Sequence, residues 1–76
     1  MEEITVYTTP TCPWCTKVKS YLNDKGVTFK ELNVAADSQA AQRMIEITGQ
    51  RSVPVITRGE KYVVGFDQDR LASMIQ

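Results

Sequence analysis

A chain of 76 residues, 42% hydrophobic and 24% charged, is long enough for one economical core, and a single domain over residues 1–76 is expected. Nine basic side chains balance nine acidic ones, which argues against the basic footprint of a nucleic-acid binder. No apolar run has membrane-spanning length, and the acidic start Met1-Glu2-Glu3 lacks a signal-peptide pattern, so no membrane association and a reducing cytoplasmic setting are expected.

Ile4 to Tyr7 is β-branched and aromatic, is bounded by Thr8-Thr9-Pro10, and reads as a first strand. From Pro13 the period turns helical, with Trp14, Cys15, Val18, Tyr21 and Leu22 at three- and four-residue steps. Pro13 suits a first helical turn, where a missing N–H is no loss, and Gly26 is a helix stop. Val27 to Val34 alternates, with one slip of phase, and reads as a second strand. Asp37-Ser38 caps a second helix through Ala40, Ala41, Met44, Ile45 and Ile47 that stops at Gly49. Ser52 to Thr57 and Lys61 to Val64 form a hairpin around Arg58-Gly59-Glu60. Asp67 or Asp69 then caps a last helix with Leu71, Met74 and Ile75. The order β-α-β-α-β-β-α predicts an α/β fold. A right-handed crossover makes the first two strands parallel, and the hairpin completes a mixed four-stranded sheet flanked by three helices.

Both cysteines lie in one stretch, Cys12-Pro13-Trp14-Cys15, at the first strand-to-helix junction. A bridge enclosing two residues removes little entropy from the unfolded chain and is a poor staple. In a reducing compartment, thiols at this spacing beside a βαβ pattern point to dithiol–disulfide cycling. The bland alternative is two unrelated buried thiols. There is no histidine, so Cys–His hydrolase chemistry has no partner residue. Two thiolates also supply only half of a tetrahedral zinc site within one chain, and no metal ligand set is expected.

Three segments coincide with that order. Thr9-Pro10-Thr11-Cys12-Pro13-Trp14-Cys15 follows the first strand, Thr48-Gly49-Gln50-Arg51-Ser52-Val53-Pro54 precedes the third, and Gly65-Phe66-Asp67-Gln68-Asp69 opens the last helix. Together they resemble the glutaredoxin family, at the small end of the thioredoxin fold, over essentially the whole chain. The resemblance implies a thiol–disulfide oxidoreductase in which Cys12 is the nucleophile and Cys15 the resolving thiol. The physics agrees, because unpaired amides and the positive dipole end at a helix N-terminus favour a thiolate at Cys12. Pro54 matches the family's cis-proline, implying that Val53 offers its backbone to an extended substrate as an added strand. A trans proline at a strand start is the plain alternative.

Other positions carry two readings. Trp14 is either core or a partly exposed ring that shields Cys15 and meets partners. Tyr7 fits a place near the motif and a packed strand position equally. Lys17, Lys19 and Arg51 could form a positive rim, although helix lysines are usually just solvated. Arg51 is favoured, since the family meets a substrate carboxylate near there. Asp67 can cap a helix and, with Gly65 and Phe66, form the turn that relatives present to glutathione.

The pattern also departs from glutathione-using relatives. Thr9 stands where they carry lysine, and Gly65-Phe66 stands where they carry Gly-Gly. The Gly-Phe turn looks more like the redoxins that take electrons from thioredoxin reductase and serve ribonucleotide reductase, whereas Pro13 is the glutaredoxin habit. The expected partners of this monomeric chain are disulfide-containing proteins, with glutathione or thioredoxin reductase as electron source. No tightly bound cofactor is expected, and glutathione would act as a reducing co-substrate. An iron–sulfur module, in which two chains each supply Cys12, is the alternative of a different class.

Overall fold

The computed structural model describes residues 3–59 and 61–75. The acidic start at Met1-Glu2 and Glu60 of the hairpin turn lie outside the described residues. Strand β1 (Ile4–Thr8) is followed by α1 (Pro13–Asp24), β2 (Phe29–Asn33), α2 (Ser38–Thr48), β3 (Val55–Arg58), β4 (Lys61–Val64) and α3 (Gln68–Ile75). The sheet order is β2-β1-β3-β4. Strand β1 runs parallel to β2 and antiparallel to β3, and β3 runs antiparallel to β4. This is the expected mixed sheet, with β1 and β3 inside and β2 and β4 at the edges. Among the described residues no helix is long and apolar enough to cross a membrane.

Alternation along the inner strands divides the core between the two sheet faces. On one face Ile4, Val6, Ile56 and Val63 pack with Val18 and Leu22 of α1 and Leu71 and Met74 of α3. On the other, Tyr7 and Val55 meet Ala40 and Met44 of α2. Tyr7 is therefore a packed strand residue, 3% exposed, and not part of the surface around the cysteines.

The elements differ from expectation mainly at their ends. Strand β2 is shorter than Val27 to Val34, because Val27 belongs to the exit from α1. Its N–H donates to Leu22 O at 3.0 Å while the Gly26 N–H donates to Asn23 O at 3.0 Å, a Schellman pairing. Gly26 accommodates this with φ +70°, a left-handed value that a side chain would strain. Strand β3 begins at Val55, three residues beyond the expected start at Ser52, since Pro54 has no N–H for the ladder.

Asp37 caps α2 as expected, accepting from the Gln39 and Ala40 N–H groups at 3.1 Å each. Asp37→Ala leaves those donors without the side-chain acceptor and is expected to cost about 1 kcal/mol. For a domain of this size, thermal denaturation followed by circular dichroism should show a midpoint lower by roughly 4–8 °C.

Candidate redox site at the start of the first helix

The chain leaves β1 through Thr9-Pro10-Thr11, with the Cys12 N–H donating to Thr9 O at 3.4 Å, and enters α1 with Cys12 as its cap. Cys12 is extended (φ −99°, ψ 105°), and its Sγ accepts from the Cys15 N–H at 3.1 Å. A sulfur thus fills the place usually taken by a Ser, Thr or Asp oxygen, facing the positive end of the helix. Pro13 occupies the first turn, where its missing N–H is no loss.

The two thiols are unlike in setting. Cys12 is half-buried and Cys15 is 1% exposed. Burial, then the hydrogen bond with Cys12, pushes the Cys15 thiol up to about 11. The Thr9 backbone and the Lys19 ammonium act in the opposite direction. One thiol meets solvent at a helix end, and the other is held back one turn inward.

Trp14 is 52% exposed, which favours the partly exposed reading over core. Its ring lies 6.2 Å from that of Phe66, and Phe66 meets Tyr21 edge-on at 6.0 Å. Lys17 Nζ sits 4.4 Å from the Trp14 ring centroid, a cation–π contact. Lys19 instead turns to β2, where its Nζ donates to Glu31 Oε2 at 2.8 Å.

Val53 precedes the first ladder pair of β3, Tyr7↔Val55, and the Val53–Pro54 bond is cis. The Gly65 N–H donates to Pro54 O at 2.8 Å, which ties the turn after β4 to the proline. Gly65 holds φ +82°, so glycine is required at this turn for its left-handed backbone. Asp67, and not Asp69, is the acceptor at the start of α3. Its Oδ1 accepts from the Arg70 N–H at 3.2 Å, and its Oδ2 lies 3.6 Å from Arg70 Nε. Arg51 is exposed and lines a groove of about 810 Å³ with Thr9, Val34, Ser38, Met44 and Ile45. Of the residues singled out, the structure joins Cys12 with Cys15, Trp14 with Phe66, and Pro54 with Gly65, and it places Arg51 and Thr9 along one groove.

Sequence reading missed Thr8, Glu31 and Tyr21. The four-residue step from Cys15 to Lys19 is a visible helical signal, but the side chains that hold Lys19 come from other elements.

The family model for glutaredoxin matches residues 4–63, a span that includes both cysteines and the cis-proline. The chain belongs to the glutaredoxin family. A glutaredoxin-like 8.6 kDa protein of the rubredoxin operon of Clostridium pasteurianum is 40% identical over 73 residues, covering 96% of this chain and 97% of that one. The glutaredoxin from Archaeoglobus fulgidus superposes with a TM-score of 0.91 at 28% identity, covering 100% of this chain and 88% of that one. The glutaredoxin-like NrdH-redoxin from Escherichia coli gives 0.85 at 29% identity, covering 95% and 93%. Both structures support the thioredoxin-like architecture of this glutaredoxin-family chain.

Proposed function

We propose that the chain is a thiol–disulfide oxidoreductase that reduces protein disulfides and glutathione mixed disulfides by cycling Cys12 and Cys15. The observation that carries this reading is the pair itself. A half-exposed Cys12 Sγ caps α1 and accepts from the N–H of a buried Cys15 at 3.1 Å. The Cys12 thiolate attacks one sulfur of a substrate disulfide, forming a mixed disulfide and releasing the other sulfur as a thiolate that takes a proton from solvent. Cys15, after losing its proton, attacks Cys12 Sγ. The Cys12–Cys15 bond forms, and the second substrate thiol leaves. An external dithiol, or two equivalents of a thiol, then returns the pair to the reduced state. The Val53 backbone beside Pro54 and the exposed Trp14 face are the surfaces for an extended substrate.

A second reading concerns the electron source, and the Trp14–Phe66 contact favours it. Glutathione-using relatives carry glycine where this chain has Phe66, and lysine where it has Thr9. The resemblance to thioredoxin-reductase-dependent redoxins therefore points to that enzyme as reductant, with ribonucleotide reductase as the substrate served. The family neighbour from Escherichia coli is described as having a thioredoxin-like activity profile. NADPH oxidation is compared with thioredoxin reductase alone and with glutathione plus its reductase, using insulin as substrate. Turnover with thioredoxin reductase is expected to dominate, and turnover with glutathione alone would defeat this second reading.

Phe66→Gly gives a sharper version of the same experiment. Removing the ring clears bulk from the turn that glutathione-using relatives leave open, so the KM for glutathione is expected to fall about 2- to 10-fold, equivalent to about 0.4–1.4 kcal/mol of relieved obstruction. An unchanged KM would show that Phe66 does not obstruct glutathione.

A further inference from the structure

Lys19 follows Cys15 by four residues on α1, so the two side chains rise from one helix face with Cβ atoms about 5–6 Å apart. A lysine there would ordinarily sample many rotamers in solvent. This one is held. Its Nζ donates to Glu31 Oε2 at 2.8 Å, and the same oxygen accepts from Thr8 Oγ1 at 3.0 Å. Thr8 is 2% exposed at the end of β1, immediately before the Thr9 whose backbone also favours the Cys15 thiolate. Glu31 lies on β2 opposite Val6, on the sheet face that α1 covers. Three elements thus converge on one ammonium. A partly exposed ion pair contributes only about 0–1 kcal/mol to stability, so holding the fold together is a weak account of the arrangement.

We propose that Thr8 and Glu31 are positioning residues that hold the Lys19 ammonium beside Cys15, where its charge favours the resolving thiolate. The idea rests on the Cys12/Cys15 cycle proposed above and concerns its second step. In the free dithiol, Cys12 opposes ionisation of Cys15 through both their hydrogen bond and its charge. In the mixed disulfide, Cys12 Sγ is bonded to the substrate sulfur and carries no charge, so that opposition disappears. Burial still resists, while the Thr9 backbone and Lys19 favour the thiolate. The charged or titratable groups involved are Cys12 at the cap, Lys19 on α1, and Glu31 facing Lys19 from β2. The Cys15 proton passes to water, and its thiolate attacks Cys12 Sγ. The departing substrate thiolate is protonated by solvent. The two protein sulfurs are oxidised as the substrate disulfide is reduced, and no other reactant is needed.

An aromatic disulfide, dithiobis(nitrobenzoate), separates the two steps by stopped-flow absorbance. Attack by Cys12 releases one nitrothiophenolate at a rate proportional to reagent. Resolution by Cys15 releases the second at a rate independent of reagent. The first phase is the internal reference for each variant. Lys19→Met is expected to displace the rate–pH curve of the second phase upward by about half to one pH unit. Because a less acidic thiol is also more nucleophilic, the slowing at neutral pH should be about 2- to 4-fold. Lys19→Arg should restore the curve. Glu31→Ala should shift it in the same direction as Lys19→Met, although loss of a negative charge alone would favour the thiolate and shift it the other way. A wild-type curve for Lys19→Met, or a downward shift for Glu31→Ala, overturns the proposal. Absence of the reagent-independent phase in the unaltered chain would instead overturn the dithiol cycle itself.

Discussion

Cys12→Ser is expected to abolish disulfide reduction, lowering turnover about 1000-fold or more, because a hydroxyl at the helix cap cannot ionise near neutral pH as a thiol can. Cys15→Ser should behave differently. Cys12 remains at the start of α1 and can still attack, but nothing one turn inward can displace the bound substrate. The mixed disulfide should accumulate on Cys12 and be visible by intact-mass measurement without reductant. Insulin reduction followed by turbidity checks the first variant, and the trapped adduct checks the second. Retained insulin reduction by Cys12→Ser would remove the basis for the dithiol cycle. An adduct on Cys15 in the Cys12→Ser protein, with none on Cys12 in the Cys15→Ser protein, would reverse the assignment of attacking and resolving thiols.

Leu22→Ala should have the largest effect on stability. Leu22 is fully buried where α1 packs on β1, β3 and α3, among Val6, Val18, Ile56 and Leu71. Removing its branched end creates a cavity and is expected to cost about 2–5 kcal/mol. At roughly 0.05–0.15 kcal/mol per residue, a domain this small holds only about 4–11 kcal/mol in total. The thermal midpoint should therefore fall by about 10–25 °C, and some of the chain should be unfolded at physiological temperature. Leu22 and Cys15 share α1, so loss of this contact also loosens the helix that orders the two thiols. A fall of only about 3 °C would mean that the neighbouring side chains close over the gap.

Much of the architecture was legible because its signals are local. The Asp37 cap, the glycine ends of α1 and α2, Pro13 in a first turn and the β-branched strands each act within a few residues of themselves. The Cys-Pro-Trp-Cys spacing is local in the same sense, so its place at the start of α1 could be read before any packing was known. Element ends were less legible. Val27 has strand chemistry, but its N–H is taken by Leu22 O at the helix exit, and β2 starts at Phe29 instead. Tyr7 was ambiguous because alternation alone does not say which sheet face lies beneath the active surface. Packing against Met44 and Ala40 resolves it.

The amino-acid order alone determined the element sequence, the family resemblance and the place of the Cys12–Cys15 pair, since these depend on residue type and on spacing along the chain. Only the tertiary structure decided what surrounds that pair. Parallel pairing of β1 with β2 brings Glu31 to Thr8 across 23 positions of sequence and places both beneath Lys19. The turn after β4 brings Phe66 to Trp14 and ties Gly65 to Pro54. Contacts of this kind depend on strand register and helix placement, which no short stretch of sequence specifies. They set the polar surroundings on the Lys19 side of α1 and the aromatic surface that Trp14 presents beside the cysteines.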